Sequence, residues 1–305
     1  MALTKEQLAI RKVGGSDVAT ILGLNPYKTA VELYHEKRGT LDLIDLSGNI
    51  AVEAGNVLED GIAELAAAHM SRAWGRTVKL RRSNLTLVHP DYDWITVHID
   101  RDVVGEERGV EIKNVGAQAA RNWGPQGTDE IPDYYLPQPH TYMLVKSYPV
   151  WTVAGYFGGA DLRLYEVDRS KEWDDLIVER THDFWNGVLE GVPPPIDLTD
   201  KAAERLVKRL YPGTDGTEQL CNSADLEHWF EVLRQAKAQI ANYEMVEKGA
   251  MNHLLYAMKN SAVMEFPGGW KLTRKLVKRK GYVVEDTSYM QTKIMKPKGA
   301  KEEDE

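Results

Sequence analysis

Between Thr77 and Val115 the spacing of apolar residues changes from a helical period to a period near two, and no other feature constrains the fold as strongly. Segments Val78–Arg81, Asn84–Val88, Trp94–Val104 and Gly109–Val115 read as strands, separated by turn residues such as His89-Pro90-Asp91 and Gly105–Gly109. Helices flank this block. Upstream, Val57, Leu58, Ile62, Leu65 and Ala66 repeat at helical spacing in a segment expected from about Val52 to Ser71. Shorter helices are predicted over Lys5–Ile10, Val18–Leu22 and Ala30–Lys37, with Ser16 or Asp17 capping the second and Thr29 the third. Downstream come a short helix at Gln118–Trp123 and a longer one over Pro132–Val145. In the latter, Pro137 and Pro139 must occupy the first turn or bend the helix. A hairpin follows, Val150–Phe157 with Leu162–Val167, and then a helix over Glu172–Val188.

The run Gly191–Pro195 is the clearest boundary. It divides the chain into a core, residues 1–197, and an accessory region, residues 198–305. The accessory region reads as polar helices, the longest being Ala224–Met258, then a hairpin-like stretch at Trp270–Val284 and a charged tail. Lys271–Lys280 is a basic run without an acid, so alternation along a hairpin would gather a cationic stripe suited to DNA contact. A solvated hairpin has the same pattern.

A single cysteine, Cys221, excludes an internal disulfide framework and a cysteine-rich zinc site, which fits a reducing compartment. His98 and His140 have neither cysteine partners nor regular ligand spacing. No apolar run approaches the ~20 residues needed to cross a bilayer, and the first residues lack the apolar core of a secretory signal. The expectation is a soluble, cytoplasmic protein without membrane contact. The net charge of −8 argues against a protein that coats nucleic acid. It leaves room for a carboxylate-lined site with a local basic grip.

The chemistry concentrates in Trp94–Lys113. If two adjacent strands join through Gly105–Gly109, alternation puts Glu111 and Lys113 on one face and turns Val110 and Ile112 to the core. Asp100 can approach Glu111 across the pair. Two carboxylates and an ammonium on one edge suit phosphodiester hydrolysis. The carboxylates hold Mg²⁺, and the lysine orients water or neutralises developing charge. An ordinary surface hairpin with Glu and Lys on its wet side would show the same spacing.

Several motifs then occur in a recognisable order. Arg11–Thr29 contains Gly14-Gly15-Ser16-Asp17 and Asn25-Pro26-Tyr27. It is followed by Gly55–Glu59, by Asp100 with Glu111-Ile112-Lys113, by Ile131–Tyr142, and by Phe157–Asp161 with Phe184-Trp185 and Gly191–Pro195. Over about residues 8–197 the chain resembles the YqaJ-type viral recombinases, relatives of the phage lambda exonuclease.

The resemblance implies an α/β (α+β) fold: a restriction-endonuclease-like PD-(D/E)XK core with a mixed central sheet flanked by helices, plus the helical and hairpin accessory region. It assigns Asp100 and Glu111 to the metal, with the Ile112 carbonyl completing the shell, Lys113 as the catalytic lysine and Glu59 at the site's edge. The cofactor expected is Mg²⁺, with Mn²⁺ as a substitute.

Ser16, in a turn at a helix start, suits an anion, and the resemblance places it on DNA phosphate with Arg11 on a 5′-phosphate. Plain capping and a surface cation are the simpler alternatives. Gln138 and Tyr142, four apart on one helix face, would line the cleft; a packing helix with a polar edge is the bland alternative. The family usually carries glycine where this chain has Arg101, which puts a bulky cation beside Asp100. Asp102 offers an alternative carboxylate.

The function implied is an exonuclease that digests one strand of linear double-stranded DNA, 5′ to 3′. It would expose a 3′ strand for a single-strand annealing protein during phage-type recombination. Homo-oligomerisation, in the manner of ring-forming relatives, is expected, as is a phage or prophage origin in a bacterial host. Two other readings stay open: an endonuclease or Cas4-like end processor, and a catalytically silent DNA-binding module on the same scaffold.

Overall fold

The computed structural model describes residues 12–199, 201–278 and 291–294. The chain forms two compact units, Met1–Tyr211 and Pro212–Glu305. The predicted helix at Lys5–Ile10 and Arg11 lie outside the described residues.

The first unit is built on a five-stranded mixed sheet. Its strands are β2 (Leu80–Arg82), β5 (Arg101–Val103), β6 (Arg108–Val115), β7 (Val150–Phe157) and β8 (Asp161–Asp168), and this is also their spatial order. β6 and β7 run parallel, in register from Arg108↔Val150 to Val115↔Phe157, while the other neighbours are antiparallel. Parallel neighbours need a crossover, and here it carries a 3₁₀ turn at Ala117–Asn122 and a helix at Pro137–Lys146. A smaller sheet joins β1 (Val13–Gly14), β4 (Ile95–Val97) and β3 (Leu87–Val88).

The helices of this unit are α1 (Val18–Ile21), α2 (Ala30–Arg38), α3 (Ile50–Trp74), α4 (Pro137–Lys146), α5 (Lys171–Glu190) and α6 (Lys201–Leu210). Thr29 caps α2 by accepting the Glu32 N–H, and Asn49 caps α3 through the Ala51 N–H. That cap starts α3 ahead of the expected Val52, and Gly75, left-handed at φ 65°, ends it after Trp74. Pro137 and Pro139 fall in the first turn of α4, where no intrahelical N–H is needed, so the helix starts later than the expected Pro132.

Two layers of core follow. Ile62, Ala63, Ala66 and Met70 of α3 pack on Val103, Val110, Ile112 and Ala154. On the opposite face Tyr142 and Met143 of α4 pack with Trp151, Val153 and Tyr165. Gly109 is required here: a Cβ at that position would lie 2.1 Å from Trp151 Cη2.

The expected strand Trp94–Val104 is two strands in two different sheets, broken at residues 98–100. Period-two spacing runs through the break, but Ile95–Val97 pairs with β1 and β3 while Arg101–Val103 pairs with β2 and β6. The chain bends at the point where Asp100 stands.

The expected boundary at 197 lies short of the break between units. Helix α6 belongs to the first unit, because Arg205 and Arg209 reach Glu32, which is wholly buried on α2. In the second unit, α7 (Ala224–Met258) is capped by Ser223, and β9 (Val263–Glu265) pairs with β10 (Lys271–Thr273). Of the hairpin expected over Trp270–Val284, the described strand Lys271–Thr273 pairs with the preceding Val263–Glu265. Residues 279–284, with part of the basic run, lie outside the described residues.

Candidate active site

Position 101 pairs with 110 and 102 with 109, so continuing the register brings position 100 opposite 111. Alternation then sorts the side chains. Val110 and Ile112 face α3, while Glu111 and Lys113 face α4. Asp100 closes the group by an unusual bond: its Oδ2 accepts the Ile112 N–H at 2.8 Å. At the bend a carboxylate thus takes up an N–H that a continued backbone ladder would have bonded.

Glu111 is 3% exposed. Its Oε1 accepts from Lys113 Nζ at 2.6 Å, and the same ammonium reaches Gln138 Oε1 at 2.9 Å. Gln138 Nε2 in turn donates to the Tyr142 hydroxyl at 2.5 Å. Lys113 Nζ also stands 5.0 Å from the centroid of Tyr135. The other oxygen of Glu111, Oε2, is buried and has no hydrogen-bond partner.

Electrostatics follow from this geometry. Burial first, and then repulsion from Glu111, push the Asp100 carboxyl up to about 8. Burial, again with the Glu111 and Asp100 charges, holds the Tyr142 hydroxyl well above its usual value, so it stays a neutral phenol. One ammonium, paired with buried Glu111, stands near both it and the partly buried Asp100. Such a pocket favours a further positive charge, and its hard oxygen donors suit a magnesium-class cation. The unpartnered Glu111 Oε2 meets that description, so the residues fit a divalent cation. Among the described residues no set of three or more His, Cys, Asp or Glu side chains converges to hold a metal.

The remaining expected site residues divide. Gly15-Ser16-Asp17 forms a 3₁₀ turn, and a Cβ on Gly15 would lie 2.7 Å from Tyr142 Cε1, so the turn rests against the ring. Asp17, which accepts the Gly14 N–H at 2.8 Å and pairs with Lys37, closes the turn; Ser16 is exposed beside it. Glu59, on α3, is bonded to Arg101 at 2.7 Å. Asp102 is taken up by Lys146 and Arg81, at 3.4 and 3.6 Å, on the α4 side of the sheet. Sequence reasoning missed Tyr135 under Lys113, and Asp60 and Arg82 around Arg101. Period two was a signal for the last group, since it turns Arg101 away from Asp100 and towards the α3 layer.

Fold and site together define a mixed α/β protein whose sheet carries a buried glutamate, a partly buried aspartate and a lysine at a bend between sheets. The YqaJ-like viral recombinase domain matches residues 6–155. The YqaJ protein of Bacillus subtilis (strain 168) is 31% identical over 252 residues, which span 82% of this chain and 76% of that protein. The chain belongs to the YqaJ-like viral recombinase family. Among solved structures, it is similar to an alkaline exonuclease, LHK-Exo, from Laribacter hongkongensis, at 17% identity and a TM-score of 0.45, covering 62% of this chain and 94% of that one. It is also similar to a phage related exonuclease from Haemophilus somnus 129PT, at 15% identity and a TM-score of 0.39, covering 59% and 96%.

Proposed function

We propose that this chain is a Mg²⁺-dependent deoxyribonuclease. It acts as an exonuclease that digests one strand of linear double-stranded DNA, 5′ to 3′, leaving a 3′ strand for homologous recombination by annealing. The observation that carries the reading is the undercompensated pair: partly buried Asp100 beside buried Glu111, one Glu111 oxygen without a partner, and Lys113 fixed between Glu111 and Gln138.

Asp100 and Glu111, with the Ile112 carbonyl, would hold the cation. Mg²⁺ held there would supply Lewis-acid polarisation of the phosphate and a lowered pKa for the attacking water. Lys113, steadied by two oxygens, keeps its ammonium where it can orient the attacking water or offset charge on the phosphate in the transition state. Gln138 and Tyr142 keep Lys113 in place, and neutral Tyr142 adds no further negative charge beside the carboxylates. Glu59 stands at the edge of the site, tied to Arg101. The exposed Ser16, on the turn that rests against Tyr142, is in reach of the same substrate and would contact DNA phosphate, with Arg11 receiving a 5′-phosphate.

No described helix is long and apolar enough to cross a membrane. Within the proposal the protein works in the cytoplasm of a bacterial host, as a phage- or prophage-encoded homo-oligomer, and hands its product to a single-strand annealing protein.

The test is digestion of linear and circular duplexes, labelled at either end, with Mg²⁺ and with Mn²⁺. Mononucleotide release from linear DNA alone, lost in Glu111→Ala and in Lys113→Ala, supports the proposal. Equal release by wild type and both variants removes the site assignment. Cleavage of circular DNA moves the activity to the endonuclease class.

A further inference from the structure

Arg101 occupies the position after the first aspartate, where its bulk would be expected to crowd a cation. Its side chain is instead 4% exposed and turned into the α3 layer. Nη1 donates to Glu59 Oε1 at 2.7 Å and to the Asp100 carbonyl at 2.7 Å, and Nη2 donates to Asp60 Oδ1 at 2.5 Å. Arg82, from the neighbouring strand at the register position Arg82↔Arg101, adds a second contact to Asp60 at 3.2 Å. The planar fork of a guanidinium can serve three acceptors at once; an ammonium is a single point charge without that geometry.

Glu59 is therefore spoken for. Its Oε1 lies on Arg101, whereas Asp100 and Glu111 face each other with a single ammonium between them and α4. The arrangement of α3, β5 and β6 would bring a third carboxylate to the edge of the site, and Arg101 engages it from the opposite face of the sheet.

We infer that Arg101 is a resident cation that withholds Glu59 from the divalent-cation site, so that only two side-chain carboxylates, Asp100 and Glu111, hold the ion in this protein. The inference rests on the proposed cation site. It makes Glu59 the counter-ion of Arg101 and makes Arg101 a positioning residue, which sets cation affinity through Glu59 and through the peptide carbonyl of Asp100.

The experiment is titration of the full-length protein with Mn²⁺, read by calorimetry and by the electron-spin signal of free Mn²⁺, without DNA. Wild type is compared with Glu59→Gln, Arg101→Gly, Arg101→Met and the double variant Glu59→Gln/Arg101→Gly, each checked for cooperative melting. Arg101→Met keeps the apolar stem of the side chain and guards against a glycine variant that does not fold.

Release of Glu59 is expected to tighten Mn²⁺ binding at least tenfold in the Arg101 variants. Glu59→Gln alone should change it less than threefold, and the double variant should lose the gain. A tenfold weakening in Glu59→Gln alone would make Glu59 a direct ligand and overturn the inference. Unchanged or weaker binding in both folded Arg101 variants would overturn it as well. Either result leaves the cation site standing, whereas a wild-type protein that binds no Mn²⁺ removes the site and this inference together.

Discussion

Two pairs of carboxylates sit in the same unit, and they are treated in opposite ways. Glu32 and Glu36, on α2, are 0% and 5% exposed. Arg209 and Arg205 reach Glu32 from α6, and Lys28 and Arg209 reach Glu36. Glu111 is 3% exposed and Asp100 only partly buried, and the one ammonium beside them, Lys113, is paired with Glu111. The first pair has the charge it needs and uses it to fasten a helix to the core. The second is short of positive charge; burial first, and then repulsion from Glu111, raise the Asp100 carboxyl to about 8. Unequal compensation separates a structural ionic cluster from one prepared for a ligand.

The largest expected effect comes from removing a carboxylate of the second pair. Glu111→Ala should reduce nucleotide release from linear duplex by roughly 10²–10³-fold or more, as for loss of a group that stabilises transition-state charge, while melting like wild type. An active Glu111→Ala would erase the contrast between the pairs.

Arg209→Ala attacks the first pair and should do the reverse. It takes one of two cations from each buried carboxylate, leaving Arg205 on Glu32 and Lys28 on Glu36, so the loss should stay below the about 3–5 kcal/mol of a fully unpaired buried charge, visible in urea unfolding, while turnover of the folded fraction stays near that of wild type. If turnover falls and stability does not, the two clusters have been assigned the wrong way round.

Gln138→Ala frees Lys113 from one of its two oxygens. It should lower turnover by about tenfold, in the range of an outer-sphere contact, with a smaller effect on stability than Arg209→Ala. A change under twofold in initial rate would show that Glu111 holds Lys113 unaided.

Asp100→Asn sharpens the comparison through pH. The folded value of Asp100, about 8, lies above that of an unfolded aspartate, about 4. The fold thus favours the neutral acid. Its contribution is fully present below the unfolded value and is lost as pH rises through about 8. In the presence of chelator, Asp100→Asn should melt like wild type near pH 4 and above it at pH 8–9. A gain that is the same at pH 4 and pH 9 would rule out the shifted carboxyl as its source. By the same linkage, cation binding at neutral pH should release a proton, measurable as a buffer-dependent heat.

Much of the first unit was legible because it depends on local pattern. Thr29 as a cap, the hairpin of β7 and β8, the prolines in the first turn of α4 and the shared face of Glu111 and Lys113 all follow from periods of two and 3.6 and from which backbone groups need partners. The break at residues 98–100 was not legible, because the apolar alternation is the same whether a strand continues in one sheet or passes to another. Nor was the engagement of α6 by Glu32, since residues so far apart in the chain meet only once α2 is packed.

The amino-acid order by itself determined which side chains share a face: Glu111 with Lys113 on one side, Val110 and Ile112 on the other, Gln138 with Tyr142 along one helix. Tertiary structure decided which faces meet. It placed Asp100 at a bend where its carboxylate takes the Ile112 N–H, laid the Gly15 turn against Tyr142, and gave Arg101 to Glu59 and Asp60. The physical reason is one of range. Periodicity is a property of neighbours a few residues apart, whereas the number of positive charges that reach a buried carboxylate depends on helices and strands brought together by packing.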